Sequence, residues 1–253
     1  MPAALDKFRM DGRIALLTGA ARGIGLAMAK ALASVGCAVA IQDIEEAIAR
    51  EEAEKIRAAG GRAIAFGGDI GDLSLIPQLV RQTVHQLGGL HVLINNAAIQ
   101  NPMHWLDMST ELMERELRTD LLAPIVLCQQ VVPILKAQRW GRIINLGSVQ
   151  QRGGNPNMLS YSLSKAALEK FTTALARDLA KDQITVNNIA PGWFNTLRNK
   201  HDLRTPQIVA ERGKNVPVGR VGEPEDCDGV TLLLCSDAGW YITGQTIYVS
   251  GGF

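Results

Sequence analysis

Ile14-Ala15-Leu16-Leu17-Thr18-Gly19-Ala20-Ala21-Arg22-Gly23-Ile24-Gly25 decides the fold of this chain. Its first five residues form an apolar β run, and Gly23 opens a helical pattern that continues to Ser34. Glycines at such a junction let the backbone turn tightly and approach a ligand closely. The helix that follows presents free amides and the positive end of its dipole to a phosphate. The spacing is not Gly-x-Gly-x-x-Gly, and no Gly-Lys-Ser/Thr is present, which excludes a P-loop. Alone, a glycine cluster of this kind also reads as a plain strand-to-helix turn.

The next apolar run, Cys37 to Asp43, ends in a carboxylate about 20 residues on from the loop. A carboxylate there can hydrogen-bond both ribose hydroxyls of an adenosine and repel a 2′-phosphate. Asp43 also precedes a helical pattern and reads as an ordinary cap; the two roles coexist. Arg22 is the opposing signal, because a cation near the loop favours a 2′-phosphate. Asp43 sits at the ribose edge, so the reading is NAD(H) over NADP(H).

Outward from this start, short apolar runs alternate with helical patterns. Strands are expected at Ile14–Thr18, Cys37–Asp43, Arg62–Phe66, His91–Asn95, Arg142–Gly147, Ile184–Ala190 and Thr246–Val249. Helices are expected at Gly23–Ser34, Glu45–Ala59, Leu73–Leu87, Glu111–Lys136, Ser160–Ala180 and Glu223–Cys235. Pro124 predicts a kink or break in the long fourth helix. The strands are nearly all-apolar, as in strands buried on both faces. The alternation therefore predicts an α/β fold: one doubly wound parallel sheet of seven strands, with helices on both faces. No linker, repeat or low-complexity tract divides the 253 residues, so one continuous domain is expected. Trp193 to Asn215 is the least regular stretch and reads as a lid.

Composition narrows the function. Lys+Arg 26 against Asp+Glu 25 gives a formal net charge of +1, no electrostatic case for nucleic acid or an anionic membrane. No uninterrupted apolar run approaches the roughly 18 residues that span a bilayer. Met1 to Asp11 is mixed and charged, which predicts no signal peptide. The four cysteines (Cys37, Cys128, Cys227, Cys235) form no Cys-x-x-Cys pair and read as reduced thiols of a cytoplasmic protein. The four histidines show no metal-ligand spacing, so no metal is expected.

The reactive group follows from spacing. Tyr161 and Lys165 are four apart on one expected helix and share a face. A tyrosine of pKa near 10 is a poor base at neutral pH, and a nearby ammonium favours the tyrosinate form. Ser148 follows an apolar strand at its carboxyl end, where α/β sheets place ligands. Its hydroxyl can bond a carbonyl or alcohol oxygen. Singly, each residue is ordinary; their order after a dinucleotide loop carries the argument.

Taken together, Thr18-Gly-x-x-x-Gly-Ile-Gly25, Asn95-Asn96-Ala97-Ala98, Ser148, Tyr161-x-x-x-Lys165 and Pro191-Gly192 resemble the short-chain dehydrogenase/reductase family, across essentially the whole chain. The length and spacings are similar to its short, single-domain oxidoreductase branch rather than to the longer sugar-nucleotide epimerases. The enoyl-reductase branch spaces its Tyr and Lys further apart. The resemblance implies a Rossmann-like fold and direct hydride transfer between a nicotinamide and a substrate carbon, without a metal. On these residues it implies Tyr161 as general acid/base. Lys165 would favour tyrosinate and bind the nicotinamide ribose, and Ser148 would orient the reacting oxygen. Gly19, Arg22, Gly23, Ile24 and Gly25 would surround the pyrophosphate and adenosine. Asp69 and Ile70 would face the adenine, Asn95 and Ala97 would line the groove, and Pro191, Gly192 and Thr196 would hold the nicotinamide end.

Two residues depart from the family pattern. Ala98 stands where the family has Gly. Asp120 stands where it has an asparagine that helps hold a proton relay to the lysine; a carboxylate there is expected to keep Lys165 charged and the relay working. The segments facing the substrate are polar: Gln100, Asn101 and His104; Gln150, Gln151, Arg152, Asn155 and Asn157; Trp193, Asn195, Arg198, Asn199 and His201. Most such loop residues simply face water. Read functionally, they suit a sugar, polyol or sugar acid, with Gln150, Arg152, Asn157 and Trp193 as contacts and Arg152 or Arg198 for a carboxylate. The alternatives are a 3-oxoacyl thioester reductase using NADPH, and a non-catalytic dinucleotide sensor or scaffold. Similar proteins pair through their two long helices and C-terminal strand, so a homotetramer or homodimer is expected.

Overall fold

The computed structural model describes residues 3–199 and 205–253. Its seven strands are β1 (Ile14–Thr18), β2 (Ala38–Asp43), β3 (Ala63–Gly67), β4 (Val92–Asn95), β5 (Gly141–Leu146), β6 (Ile184–Pro191) and β7 (Thr246–Val249). They form one sheet in the order β3-β2-β1-β4-β5-β6-β7, every neighbouring pair parallel. The helices are α1 (Gly23–Ser34), α2 (Glu46–Ala58), α3 (Ile76–Leu87), α4 (Thr110–Leu117), α5 (Ala123–Gln138), α6 (Leu159–Leu179), α7 (Pro206–Gly213) and α8 (Asp228–Cys235).

The nearly all-apolar strands read from the sequence have their physical cause here. β1 and β5 are buried along their whole length, because a separate apolar cluster lies on each face of the sheet. Met28, Leu32, Ile41 and Leu234 belong to one cluster; Leu16, Leu93, Leu127 and Leu179 belong to the other. Strand order reverses between β1 and β4. Crossovers leave that point in opposite directions and open a crevice at the carboxyl ends of the two strands.

The long fourth helix differs from its expected form. α4 ends at Leu117, a π-helical turn spans Arg118–Leu122, and α5 restarts at Ala123. Leu117, Arg118, Leu122 and Ala123 all keep helical backbone angles, so the chain runs on through the π turn, and Pro124 follows it with no N–H to give to the turn before. The irregularity therefore precedes the proline and coincides with Asp120; π turns of this kind occur often at functional sites. Thr110–Gln138 also bears on the reading of membrane-spanning length: within its 29 residues an 18-residue window has a mean hydropathy of 1.4, enough by length and composition to cross a bilayer. A search for unbroken apolar runs overlooks it because polar residues interrupt it. Its Leu127, Val131 and Leu135 pack in the core beneath the sheet. Trp193 to Asn215, expected to be irregular, contains α7, which Thr205 caps through the Ile208 amide.

Candidate active site

A cavity of about 550 Å³ lies at the crevice, lined by the turn after β1, the segments after β4, β5 and β6, the start of α6, and α7. β1 delivers the glycine turn. Gly19 has φ +59°, and a Cβ there would stand 2.7 Å from Ala97 Cα; a Cβ on Gly25 would meet Asn96 Nδ2 at 2.4 Å. Only glycine fits either place. No side chain caps the N-terminus of α1. Its first amides and its dipole thus face the cavity, the donor set a pyrophosphate needs. Gly19, Arg22, Gly23, Ile24 and Gly25 all line the wall, and so do Pro191, Gly192 and Thr196 at the other end. These residues fit a dinucleotide.

β2 carries Asp43 to the turn after β1, outside the residues that line the cavity. Its Oδ2 accepts a hydrogen bond from the Ala21 amide at 3.0 Å and its Oδ1 one from the Glu45 amide at 3.1 Å. Arg22, the cation that favours a 2′-phosphate, donates to Glu45 at 3.2 Å. Asp69 caps the Gly71 amide at 2.8 Å, and Ile70 is buried in the core; neither lines the cavity.

The side chain of Asn95 is a correction to the sequence reading. It is turned into the core, where its Nδ2 donates to Asn145 Oδ1 at 2.8 Å. Asn96 lines the groove instead, donating to the Thr18 and Gly19 carbonyls at 2.9 and 2.7 Å. Ala97 stands against Gly19 and donates its amide to Thr18 Oγ1 at 3.1 Å.

β5 ends at Leu146 and delivers Ser148. Its Oγ accepts from the Gln150 amide at 3.2 Å, which leaves the hydroxyl proton available to a ligand. Gln151 fixes the turn: it accepts from the Ser148 amide at 3.2 Å and donates to Tyr248 at 3.1 Å. Gln151 is therefore a buried strut. On α6 the buried stripe Tyr161, Lys165, Leu168, Thr172, Ala176 and Leu179 recurs at three and four residues, so the Tyr–Lys pair sits on the face pressed to the sheet. Tyr161 is 5% exposed and lines the cavity beside Ser148. Lys165 donates to the Leu146 carbonyl at 2.8 Å, lies 3.9 Å from Asp120 Oδ2, and stands 5.4 Å from the centre of the Tyr161 ring.

The polar loop residues divide. Gln100, Gln150, Asn155, Asn157, Trp193 and Asn199 line the cavity. Arg152 does not, which is a second correction: it stacks over the Tyr248 ring at 4.8 Å and pairs with Glu169 at 3.4 Å. Asn101 is held by Glu116, His104 stacks on Trp105, and Asn195 bonds Glu223. His201 and the Arg198 side chain lie outside the described residues. Arg212 of α7 lines the cavity, its guanidinium 5.1 Å from the centre of the Trp193 ring. No motif in the sequence marked it; it lay unnoticed within the segment 193–215, which was expected to be irregular.

A family model described as enoyl-(acyl carrier protein) reductase matches residues 19–253. The 3-oxoacyl-[acyl-carrier-protein] reductase of Aquifex aeolicus is 35% identical over 248 residues, covering 97% of this chain and 99% of that protein. The 7α-hydroxysteroid dehydrogenase of Escherichia coli K12 is 34% identical over 247 residues, covering 98% and 96%. A solved gluconate 5-dehydrogenase of Burkholderia cenocepacia, in complex with NADP and tartrate, superposes with a TM-score of 0.92 at 32% identity, covering 99% of this chain and 98% of that one. The chain belongs to the short-chain dehydrogenase/reductase family of NAD(P)-dependent oxidoreductases.

Proposed function

We propose that this protein interconverts a secondary alcohol and a carbonyl on a polar, multiply hydroxylated substrate, a sugar, polyol or sugar acid, with NAD. The observation that carries the reading is that Ser148, Tyr161 and Lys165 line the same cavity as the uncapped N-terminus of α1. A bound nicotinamide supplies the hydride acceptor for oxidation and the donor for reduction. Ser148 donates its hydroxyl proton to the reacting oxygen and orients it. Tyr161 takes the alcohol proton in oxidation and returns it in reduction. Lys165 stands beside the Tyr161 ring, and Asp120 holds the ammonium from behind. Trp193 and Arg212, from the described parts of the segment expected to act as a lid, flank the substrate.

The substrate side of the cavity supports the polar reading. Amide side chains dominate it: Gln100, Gln150, Asn155, Asn157 and Asn199. Among the described residues no carboxylate lines the wall, and Arg212 is the cation there away from the phosphate loop and Lys165. Such a wall suits hydroxyls together with an anionic group. The carboxylates of Asp43 and Glu45, the second already holding Arg22, support NAD over NADP. The Tyr161-x-x-x-Lys165 spacing and the polar wall speak against enoyl reduction.

Sequence kinship with the Aquifex aeolicus enzyme supports a second reading, reduction of a 3-oxoacyl thioester with NADPH. A panel of aldoses, polyols, sugar acids, secondary alcohols and 3-oxoacyl thioesters, each with NAD(H) and NADP(H) and followed by nicotinamide absorbance, separates the two. Sugar-class turnover with NAD is expected, and Tyr161→Phe is expected to lower kcat by about 10²–10⁴ with NAD binding retained. Thioester turnover with NADPH alone favours the second reading. NAD binding with no turnover anywhere favours a sensor or scaffold. We place the protein in the cytoplasm as a homotetramer or homodimer, by its buried reduced thiols and by the exposed Leu122, Leu159 and Leu163 about its long helices.

A further inference from the structure

Glu116 of α4 is 1% exposed and takes no part in the chemistry above. Its carboxylate has hydrogen-bond donors on both oxygens. Oε1 accepts from the Asn101 amide at 2.7 Å and from Asn101 Nδ2 at 2.9 Å, while Oε2 accepts from the Ser160 hydroxyl. One oxygen thus holds the loop after β4. The other holds the first turn of α6, at the residue immediately before Tyr161.

Asp120 repeats the arrangement one turn along. Its Oδ1 accepts from the Ile99 amide at 2.8 Å, and its Oδ2 faces Lys165 Nζ at 3.9 Å. Amides two apart in an extended run point to the same side. Carboxylates four apart on a helical run share a face. The two sets therefore match in register: positions 116 and 120 on one side, 101 and 99 on the other. Their α6 partners, Ser160 and Lys165, bracket Tyr161. Between the two loop amides lies Gln100, which lines the cavity.

A buried carboxylate is costly unless its oxygens are bonded, and an apolar side chain of similar volume fills such a place at lower cost. What the carboxylate adds is a short bridge of fixed length between two separate segments. We propose that Glu116 is a positioning residue for Tyr161: it sets the distance between the helix that carries the proton acceptor and the loop that carries Gln100, so that the substrate alcohol meets Tyr161 in register. The inference rests on the reading of Tyr161 as the proton carrier.

Glu116→Ala, Glu116→Gln and Ser160→Ala, compared by hydrogen–deuterium exchange and by steady-state kinetics with NAD, test it. In Glu116→Gln, Oε1 still accepts from Asn101 and Nε2 donates to the Ser160 oxygen, so the bridge survives without its charge. In Glu116→Ala the amides of 99–103 and of the first turn of α6 are expected to exchange at least about tenfold faster, and kcat to fall about 10–100-fold, the scale of a misplacement near 1 Å. Glu116→Gln is expected to stay within about threefold of the parent in both, and the NAD dissociation constant to stay within about twofold in every variant. Ser160→Ala, which cuts one arm, is expected to lower kcat while leaving exchange at 99–103 near the parent's. Unchanged exchange in Glu116→Ala overturns the bridge. Faster exchange with a parental kcat, or a parallel loss of NAD binding, overturns the positioning role. Should Glu116→Ala fail to fold, Glu116→Gln and Ser160→Ala still decide: an unchanged kcat in Ser160→Ala overturns the role. Exchange needs no turnover, so a parent enzyme silent with every substrate overturns the reaction reading and the positioning role with it, while exchange still decides the bridge.

Discussion

The Lys165 ammonium lies 3.9 Å from the Asp120 carboxylate, with side-chain exposures of 2% and 0%. The π turn Arg118–Leu122 carries Asp120 to this place. The other oxygen of the carboxylate is spent on the Ile99 amide, so one residue steadies both the lysine and the loop after β4. Asp120→Asn keeps an acceptor for that amide and removes the charge. Taking away one partner of a buried pair costs about 3 kcal/mol, and the urea midpoint is expected to fall accordingly. The pH–rate profile is expected to change as well; a profile superimposable on the parent's would show that the charge plays no part in the relay.

Asp43 and Glu45 predict a graded cofactor switch. The Arg22–Glu45 pair is exposed at both ends, 41% and 53%. Such pairs are worth about 0–1 kcal/mol, so Glu45→Gln alone is expected to raise kcat/KM with NADP by no more than about fivefold. Asp43→Ser combined with Glu45→Gln is expected to raise it further and to weaken NAD, because the ribose partner is lost. Side-by-side kinetics with both cofactors check this. Equal effects on NAD and NADP would mean that Asp43 acts only by holding the Ala21 amide.

Arg212 predicts discrimination between acids and neutral substrates. Arg212→Met keeps an unbranched stem near Trp193 and removes the charge. The KM of a sugar acid is expected to rise about tenfold or more, since a charge-assisted bond is worth about 1.5–3 kcal/mol. The KM of the matching neutral polyol is expected to hold. If both shift alike, Arg212 shapes the lid and does not read a carboxylate.

Burial predicts alkaline lability. It pushes the Cys37 thiol up to about 12. Cys128 also reaches about 12 by burial, with the Asn95 amide opposing. Cys227 reaches about 12 by burial, with Asp226 and Asp228 adding to it. In the unfolded chain a thiol ionises near about 8.5. Below that pH the thiols are protonated in both states and contribute nothing to the pH dependence. Between about 8.5 and 12 only the unfolded chain sheds these protons, so each thiol lowers stability by about 1.4 kcal/mol per pH unit. Urea unfolding from pH 8 to 11 is expected to show this fall, and Cys128→Ala is expected to flatten it by about that amount. An equal slope in the variant would remove Cys128 from the account.

Much of the architecture was legible because it rests on local rules. A strand buried on both faces is mostly apolar, as β1 is but for Thr18, and a turn against Ala97 must be glycine, as Gly19 is. Tyr161 and Lys165 share a face by helical spacing alone. Strand ends were harder. Successive side chains at the end of β4 point to opposite sides, so composition could not say which of Asn95 and Asn96 enters the groove.

The sequence by itself determined the seven strands in chain order, the glycine turn after the first, and the helix face shared by Tyr161 and Lys165, since these depend on spacing within single elements. Tertiary structure alone decided the rest. Arg152 is drawn away by Glu169 and Tyr248, from α6 and β7. Arg212 reaches the cavity from α7, beside Trp193. Glu116, an unremarked residue of a charged helix, becomes a bridge because Asn101 and Ser160 meet it there. A long polar side chain takes its role from the partner it finds across the fold, and that partner lies beyond the reach of local sequence.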